Sequence, residues 1–435
     1  MRLVIKGGRV IDLAGSIDGL YNIYIMGGRI ASVKAVDKDI SATELVAGEG
    51  LEVIDATGLL VTPGLIDAHT HLREPGYEYK ETIAGGAVSA AVGGFTTIMC
   101  MANTKPVNDN ESVTRFMLKK AESAVVNVLP IGAVTVGLKG ERLTEMAELK
   151  EAGCAAFSDD GMPVASSSVM RRALEYANAL GMVVITHAED TKLAGAGVMN
   201  EGEVSTKLGL KGIPSTAEDI AVARDILLAE LTRARLHVAH VSTRGAVEII
   251  RNAKKRGVKV TCEATPHHLT LTHLAVEGYG TNAKMNPPLR SEDDVSALIE
   301  GLADGTIDCI ATDHAPQSVI EKDVEFDRAA NGVVGLETAF SLVYALVEKG
   351  LITLQAAIAA MTINVARTFN LDKGSLKVGS SADIAIFDLK ALWIVEPSLL
   401  KSKSKNTPFG GMNLKGRVEK TIVNGKVVYD ANKQR

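Results

Sequence analysis

The stretch "GLIDAHTHLREPGYE", Gly64 to Glu78, carries His69, His71 and Arg73 at alternating positions just after an apolar run. Residues i and i+2 of a strand share a face. Both imidazoles can therefore turn toward one ion, with a guanidinium just beyond them. Four later stretches end in the same kind of chemistry. "CAAFSDD" closes on Asp159 and Asp160, "VVITHAED" carries His187, "LHVAHVS" carries His240, and "CIATDHAP" carries Asp313. Imidazole nitrogen and carboxylate oxygen, without thiolate, suit zinc, and also manganese or iron. One His-x-His pair is weak grounds for a metal. The same pair with two further histidines and an aspartate at other strand ends is strong grounds.

Strand geometry narrows the candidates. His237 precedes His240 by three residues and faces the other way, so it is expected to pack under a helix while His240 serves as ligand. Asp313 and His314 are adjacent and diverge, and Asp313 is taken as the inward one. Asp159 and Asp160 stay undecided on this ground. His267 and His268, in "ATPHHL", either line the mouth of the site or hold a loop, and His273 reads as a surface or packing residue.

The elements that must position these groups alternate. Eight strand candidates begin at Gly64, Phe95, Asn127, Cys154, Val183, Leu236, Val258 and Cys309. Amphipathic helical patterns lie between them, such as "SSSVMRRALEYANAL" and "TAEDIAVARDILLAEL", and "LETAFSLVYALVEKG" and "LQAAIAAMTINVARTF" follow the last strand. Near-continuous apolar strands separated by such helices indicate a parallel sheet covered on both faces. Eight units predict an α/β fold of the (β/α)8 TIM-barrel type, whose catalytic groups gather at the C-terminal strand ends. No G-x-G-x-x-G follows the first strand, which disfavours an open dinucleotide-binding sheet.

The chain ends differ in texture. "RLVIKGGRVID" and "YNIYIMGGRIASV" read as strand, Gly-Gly turn, strand, and "KTIVNGKVVYD" turns at Asn424-Gly425; "GSSADIAIFDL" is a further strand. The expected division is a β-sandwich domain built from residues 1–62 and 371–435 around a barrel spanning 63–370.

Composition excludes several classes. With 435 residues, net charge −5 and 23% charged residues, the chain lacks the basic face that nucleic-acid binding needs. Lys401, Lys403 and Lys405 read as a solvated loop. Cys100, Cys154, Cys262 and Cys309 form no C-x-x-C pair and lie in apolar surroundings, as buried free thiols in a reducing compartment do. The N-terminus has no signal-peptide pattern, and no apolar run reaches the ~18 residues of a membrane span. A cytoplasmic enzyme is the expectation.

Taken together, "DAHTHLREPG", "MCMANTKPV", "FSDDGMPV", "THAED", "HVAHVST", "TPHHL", "KMNPPLR", "ATDHAP" and "GVVGLETAF" resemble the dihydroorotases of the amidohydrolase superfamily, in their longer, class I form. The resemblance spans nearly the whole chain. It implies the reversible cyclisation of N-carbamoyl-L-aspartate to (S)-dihydroorotate, the third step of pyrimidine biosynthesis. By resemblance, His69 and His71 bind one metal, Asp160 is the carboxylate at the metal centre, and His187 and His240 bind a second metal. Asp313 is the metal-associated catalytic acid/base. Arg73 and Asn103 hold the substrate carboxylate, and Asn286 contacts substrate. His71, Gln317 and Gly332 complete the expected substrate contacts.

The resemblance implies one or two zinc ions per subunit. Hydantoinases, allantoinases and shorter dihydroorotases carry a carboxylated lysine at strand four. Here "CAAFSDDG" has none and Lys150 comes earlier, so no carboxylated lysine is expected. Two positions depart from the family pattern. Gln317 stands where a substrate-binding histidine is usual, and Asn331 precedes Gly332 where phenylalanine is usual. A glutamine can donate a hydrogen bond but carries no charge. Expected partners are a small-molecule substrate, further copies of the chain, and aspartate transcarbamoylase; neither nucleic acid nor membrane is expected. The competing readings are another cyclic amidohydrolase (dihydropyrimidinase or allantoinase) and a catalytically silent subunit that scaffolds the transcarbamoylase.

Overall fold

The computed structural model describes residues 2–38 and 51–433. The fold is α/β. Strands β1 (Arg2–Asp12), β2 (Ile17–Met26), β3 (Arg29–Ala35), β4 (Leu51–Asp55) and β5 (Leu60–Pro63) come from the first part of the chain. Among the described residues they pair with β16 (Ile384–Ile394), β17 (Asn413–Val423) and β18 (Lys426–Asp430) in one connected sheet, ordered β18-β17-β16-β5-β1-β2-β3 with β4 also on β1. The two chain ends thus meet through the β5–β16 ladder. Leu3, Ile5, Val10, Ile23, Val61, Ile384, Ile386 and Ile422 bury the core of this sheet.

Two of the three expected hairpins form. Gly27 and Gly28 turn β2 into β3, and Asn424 and Gly425 turn β17 into β18, all four with positive φ. Such turns need left-handed backbone at both central residues. Gly7 and Gly8 do not make a turn. They lie inside the continuous strand β1, where the register against β2 shifts between Ile5 and Gly8. β1 pairs with β4 before this bulge and with β5 after it. A Cβ on Gly8 would stand 2.6 Å from Val61, so this glycine answers to close strand approach.

Between the two β-rich ends run parallel strands β6 (Leu65–Thr70), β7 (Phe95–Cys100), β8 (Asn127–Pro130), β9 (Phe157–Ser158), β10 (Val184–Thr186), β13 (Leu236–Val238), β14 (Val260–Ala264) and β15 (Cys309–Ile310). Each falls on a stretch expected from the sequence. β6-β7-β8 form one sheet and β15-β14-β13-β10-β9 another. Isolated parallel bridges join the two at both edges, Gly132 to Phe157 and Thr70 to His314. Every residue of β6 and β7 is buried, as strands covered on both faces must be.

The connecting helices start at capping residues that the sequence displays. Asn110, Ser166, Thr243 and Ser291 each accept a backbone N–H of the first turn. The pattern "LQAAIAAMTINVARTF" divides into two helices, Leu354–Ala360 and Ile363–Phe369, because Thr362 between them leaves helical geometry. A short ladder of β11 (Met199–Asn200) on β12 (Gly212–Ile213) was not anticipated; two-residue strands leave no periodic signal. Among the described residues no helix is long and apolar enough to cross a membrane.

Candidate active site

The C-terminal ends of five parallel strands carry the chemistry. His69 lies on β6 and His71 just beyond it; Asp159 and Asp160 follow β9, His187 follows β10, His240 follows β13, and Asp313 follows β15. All of these are buried. Asp160 is their centre. Its Oδ1 lies 3.4 Å from His69 Nε2, 3.4 Å from His187 Nδ1 and 3.3 Å from His240 Nε2, and its Oδ2 lies 3.3 Å from His71 Nε2. Asp313 Oδ1 stands 3.0 Å from His71 Nε2 and 3.5 Å from His69 Nε2. Two triads can each hold an ion: His69, His71 and Asp160, and Asp160, His187 and His240, with donor atoms within 4.8 Å of one another.

The donor set fits a cation. His69 Nε2 and His240 Nδ1 are buried without a hydrogen-bond partner. His187 Nδ1 and His240 Nε2 lie 2.9 Å apart, both turned toward Asp160. Electrostatics points the same way. Burial opposes charge on His69, yet Asp160 and Asp313 outweigh it and raise the imidazole well above its ordinary pKa. Burial would raise the Asp160 carboxyl, but the His69 charge and hydrogen bonds from His187 and His240 hold it well below the usual range. Asp313 is held low against burial by His69 and His71.

Asp159 takes no part in this cluster. Its carboxylate accepts from Val134 N at 2.8 Å, from Thr135 N at 3.0 Å and from the Thr135 hydroxyl. Burial raises it to about 6 against those bonds. His237 also lies outside the cluster, its ring 5.1 Å from Phe369 of the helix Ile363–Phe369.

Carboxylates that the sequence reading passed over hold the ligands in place. Glu263 on β14 takes His69 Nδ1 at 2.8 Å and His237 Nε2 at 3.1 Å. Burial would raise Glu263, but the His237 and His69 hydrogen bonds prevail and lower it to about 2. With Nδ1 committed to Glu263, Nε2 is the nitrogen that would offer its lone pair to a cation in the cluster. Asp67 takes His69 N at 3.0 Å, Thr312 N at 3.1 Å and the Thr312 hydroxyl, tying β6 to the segment after β15. The signal for both was present. Asp67 shares the i, i+2, i+4 face with His69 and His71, and Glu263 is a lone charge inside a buried apolar strand.

The remaining expected residues surround the cluster. Asn103 Oδ1 pairs with His71 Nδ1 at 2.9 Å and so orients that ring. Arg73 donates from Nε to Pro316 O at 3.1 Å. Burial lowers the Arg73 pKa, and Asp313 offsets part of the shift. Asn286 Nδ2 donates to Glu189 Oε2 at 3.1 Å and stands 3.3 Å from His187 Nε2, while its Oδ1 is buried without a partner. Gln317 is held at both ends: Oε1 accepts from Lys80 Nζ at 2.8 Å, and Nε2 donates to Asn331 O at 2.6 Å. Gly332 has φ of 137° and would set a Cβ 2.5 Å from Ala315 O. Its N–H donates to Lys284 O and its carbonyl accepts from Asn406 Nδ2, so its main chain is already paired. His268 braces the loop, with Nε2 3.0 Å from Pro287 O and Nδ1 2.8 Å from Thr265 Oγ1. His267 is buried beside it, its pKa lowered to about 4 by burial and by His240 and His69.

Arg73, His240 and Asp313 have φ of 65°, 33° and 46°. Left-handed backbone is rare outside glycine and clusters where function over-determines the conformation.

Comparison with known proteins agrees with this chemistry. Residues 58–246 match the protein family described as Dihydro-orotase-like. The chain is 58% identical over 430 residues to a dihydroorotase of Geobacter metallireducens, covering 99% of this chain and 100% of that protein. It is 55% identical over 430 residues to a dihydroorotase of Geotalea daltonii, covering 99% of each. Among solved structures it resembles the L-hydantoinase (dihydropyrimidinase) of Arthrobacter aurescens, with TM-score 0.86, 28% identity and coverage of 98% of this chain and 96% of that one.

Proposed function

Because the chain belongs to the dihydroorotase family, we propose that it interconverts N-carbamoyl-L-aspartate and (S)-dihydroorotate with the buried His/Asp cluster as its metal centre. One observation carries the reading: a single carboxylate, Asp160, is met by the nitrogens of four histidines from three different strand ends.

In this reading His69, His71 and Asp160 would hold one zinc ion, and Asp160, His187 and His240 a second. When bound, a divalent cation supplies Lewis acidity, making water nucleophilic near neutral pH and polarising a carbonyl. Asp160 takes the place that a carboxylated lysine fills in cousins; its position between the two histidine pairs supports this. Asp313, ionised and beside His71, accepts a proton from the attacking water and delivers it to the departing ring nitrogen. In the cyclising direction it removes a proton from the ureido nitrogen.

Arg73 spends Nε on Pro316 O, which leaves its two outer nitrogens to grip the substrate carboxylate as a planar fork. A cyclic amide without a carboxylate would not need that clamp. Asn286 Oδ1, buried and unpartnered, suits a ring N–H. Asn103 acts first on His71, and beyond a long bond to Asp160 O at 3.5 Å its Nδ2 keeps one amide hydrogen for the substrate. Gln317 keeps one amide hydrogen beyond its bond to Asn331. The contribution of Gly332 is close packing on Ala315 rather than a free main-chain donor.

The fold follows the same reading. The two bridged parallel sheets close as a (β/α)8 barrel over residues 63–370, and residues 1–62 and 371–435 form one sandwich-like β-domain; the β5–β16 ladder supports the division. Free buried cysteines support a reducing, cytoplasmic setting. Self-association and association with aspartate transcarbamoylase belong to the same proposal. Exposed Ile220, Leu227 and Leu231 on the helix Thr216–Thr232 support the first.

The test is turnover by purified zinc-loaded protein, measured with dihydroorotate, dihydrouracil and hydantoin in parallel. We expect consumption of dihydroorotate with formation of carbamoyl-aspartate. Turnover of dihydrouracil without dihydroorotate would overturn the substrate assignment. No turnover together with co-purification of aspartate transcarbamoylase would point to a scaffold.

A further inference from the structure

Residues 401–407, read from sequence as a solvated lysine-rich loop, are a strap bound along its length to the site's own loops. The N–H groups of Lys401 and Ser402 donate to the Glu337 carboxylate at 2.7 and 3.0 Å. The Ser402 hydroxyl and the Lys403 N–H each donate to Glu81 Oε2 at 2.8 Å, and the Ser404 hydroxyl donates to Lys80 O at 2.7 Å. Glu81 and Lys80 lie on the segment that follows β6 and carries Arg73.

The strap ends at Asn406, which is 4% exposed. Its side chain makes three hydrogen bonds, all to main chain. Oδ1 accepts from Gln317 N at 3.0 Å, and Nδ2 donates to Ala315 O at 3.1 Å and to Gly332 O at 3.0 Å. Its own carbonyl accepts from Val334 N at 2.9 Å. Ala315 and Gln317 flank Pro316, whose carbonyl takes Arg73 Nε at 3.1 Å. Proline has no N–H of its own to anchor. The position of that carbonyl therefore depends on the bonds made on either side of it.

We propose that Asn406 is a positioning residue for the active site, clamping both sides of Pro316 and thereby aiming the Arg73 fork at the substrate carboxylate. The chemistry it serves rests on the dihydroorotase reading; the clamp itself does not. Only a carboxamide meets the requirement, since the site needs one acceptor and two donors in a plane. Aspartate would keep the acceptor for Gln317 N–H but set a negative oxygen against the carbonyls of Ala315 and Gly332. A buried acceptor pair of that kind has no compensation.

The experiment compares wild type, Asn406→Asp, Asn406→Ser, Arg73→Ala and the double variant Arg73→Ala/Asn406→Asp, all as full-length zinc-loaded protein. We expect Asn406→Asp to raise KM for dihydroorotate about tenfold or more with zinc content unchanged. Asn406→Ser should act in the same direction and serves if the aspartate variant does not fold. In the Arg73→Ala background the effect of Asn406→Asp should shrink below about twofold, because the two act as one unit. Effects that multiply in full would overturn the proposal, as would an unchanged KM in folded, zinc-loaded Asn406→Asp and Asn406→Ser. Modification of Arg73 by phenylglyoxal, followed by mass spectrometry, reads the clamp without substrate. It should be faster in Asn406→Asp than in wild type, and equal rates would overturn the clamp. Absence of dihydroorotate turnover in wild type would instead refute the functional reading, leaving the phenylglyoxal comparison to decide the clamp.

Discussion

Replacing Glu263 tests whether the metal site depends on the carboxylate behind it. Glu263 accepts from His69 at 2.8 Å and from His237 at 3.1 Å. Outer partners of this kind typically contribute a factor of about 10 to 100 in metal affinity, or roughly 1.4 to 2.7 kcal/mol. The geometry places two variants at opposite ends of that range. In Glu263→Gln, the amide oxygen can still accept from His69 Nδ1–H, while the amide N–H faces His237 Nε2. His237 can adapt, because its Nδ1 lies 2.9 Å from the Thr261 hydroxyl, which donates or accepts. Moving the proton of His237 to Nδ1 leaves every group paired, and only the negative charge is lost. A loss of about tenfold follows. In Glu263→Ala both imidazole N–H groups lose their acceptor in a buried site, at about 1–3 kcal/mol each. His69 is then free to rotate or change tautomer, and a loss of about 100-fold or more follows. The assay is zinc affinity by competition with a chromophoric chelator, with the melting temperature of the metal-free protein as a control for folding. Unchanged zinc affinity in folded Glu263→Ala would refute the reasoning. Equal losses in the two variants would show that charge alone matters, not orientation.

Arg73→Ala should lower kcat/KM by about 10² to 10⁴, from two lost charge-assisted hydrogen bonds at roughly 1.5–3 kcal/mol each, while zinc content measured by elemental analysis stays constant; equal loss of zinc would show that Arg73 supports the metal instead. Lys322 is buried, and desolvation with the nearby charge of Lys284 lowers its pKa from 10.5 to about 7. Between those values the unfolded chain binds a proton that the folded chain does not, so stability should rise with pH, by up to about 1.4 kcal/mol per unit. Denaturant midpoints at pH 7, 8 and 9 should show this slope in wild type and a flatter one in Lys322→Met, and parallel profiles would refute it. All four cysteines are buried, and burial raises Cys100 to about 12 and Cys154 to about 11. A thiol reagent at pH 8 should leave the native protein unlabelled and react fully only after unfolding; fast labelling of any cysteine in the native state would contradict the packing described here.

Local pattern in the sequence determined where the strands begin, that the two β-rich ends resemble each other, and that imidazoles and carboxylates stand at strand ends. Those features rest on apolar runs and on alternation by two, which a single chain displays without any partner. Spacing left open which of two adjacent aspartates enters the cluster; the family resemblance pointed to Asp160, and the physical reason came only with the tertiary structure. Asp159 and Asp160 differ by one residue, and a one-residue step reverses the side-chain direction; the amides of Val134 and Thr135 claim Asp159 and leave Asp160 to the histidines. Tertiary structure also decided the role of Glu263, whose partners His69 and His237 lie 194 and 26 residues away, and of Asn406, whose three side-chain bonds reach back between 74 and 91 residues. Gly7-Gly8 reads as a turn in isolation because the strands that crowd it, β4 and β5, come from later in the chain. Contacts made across such separations depend on how sheets meet, and one-dimensional spacing carries no record of that.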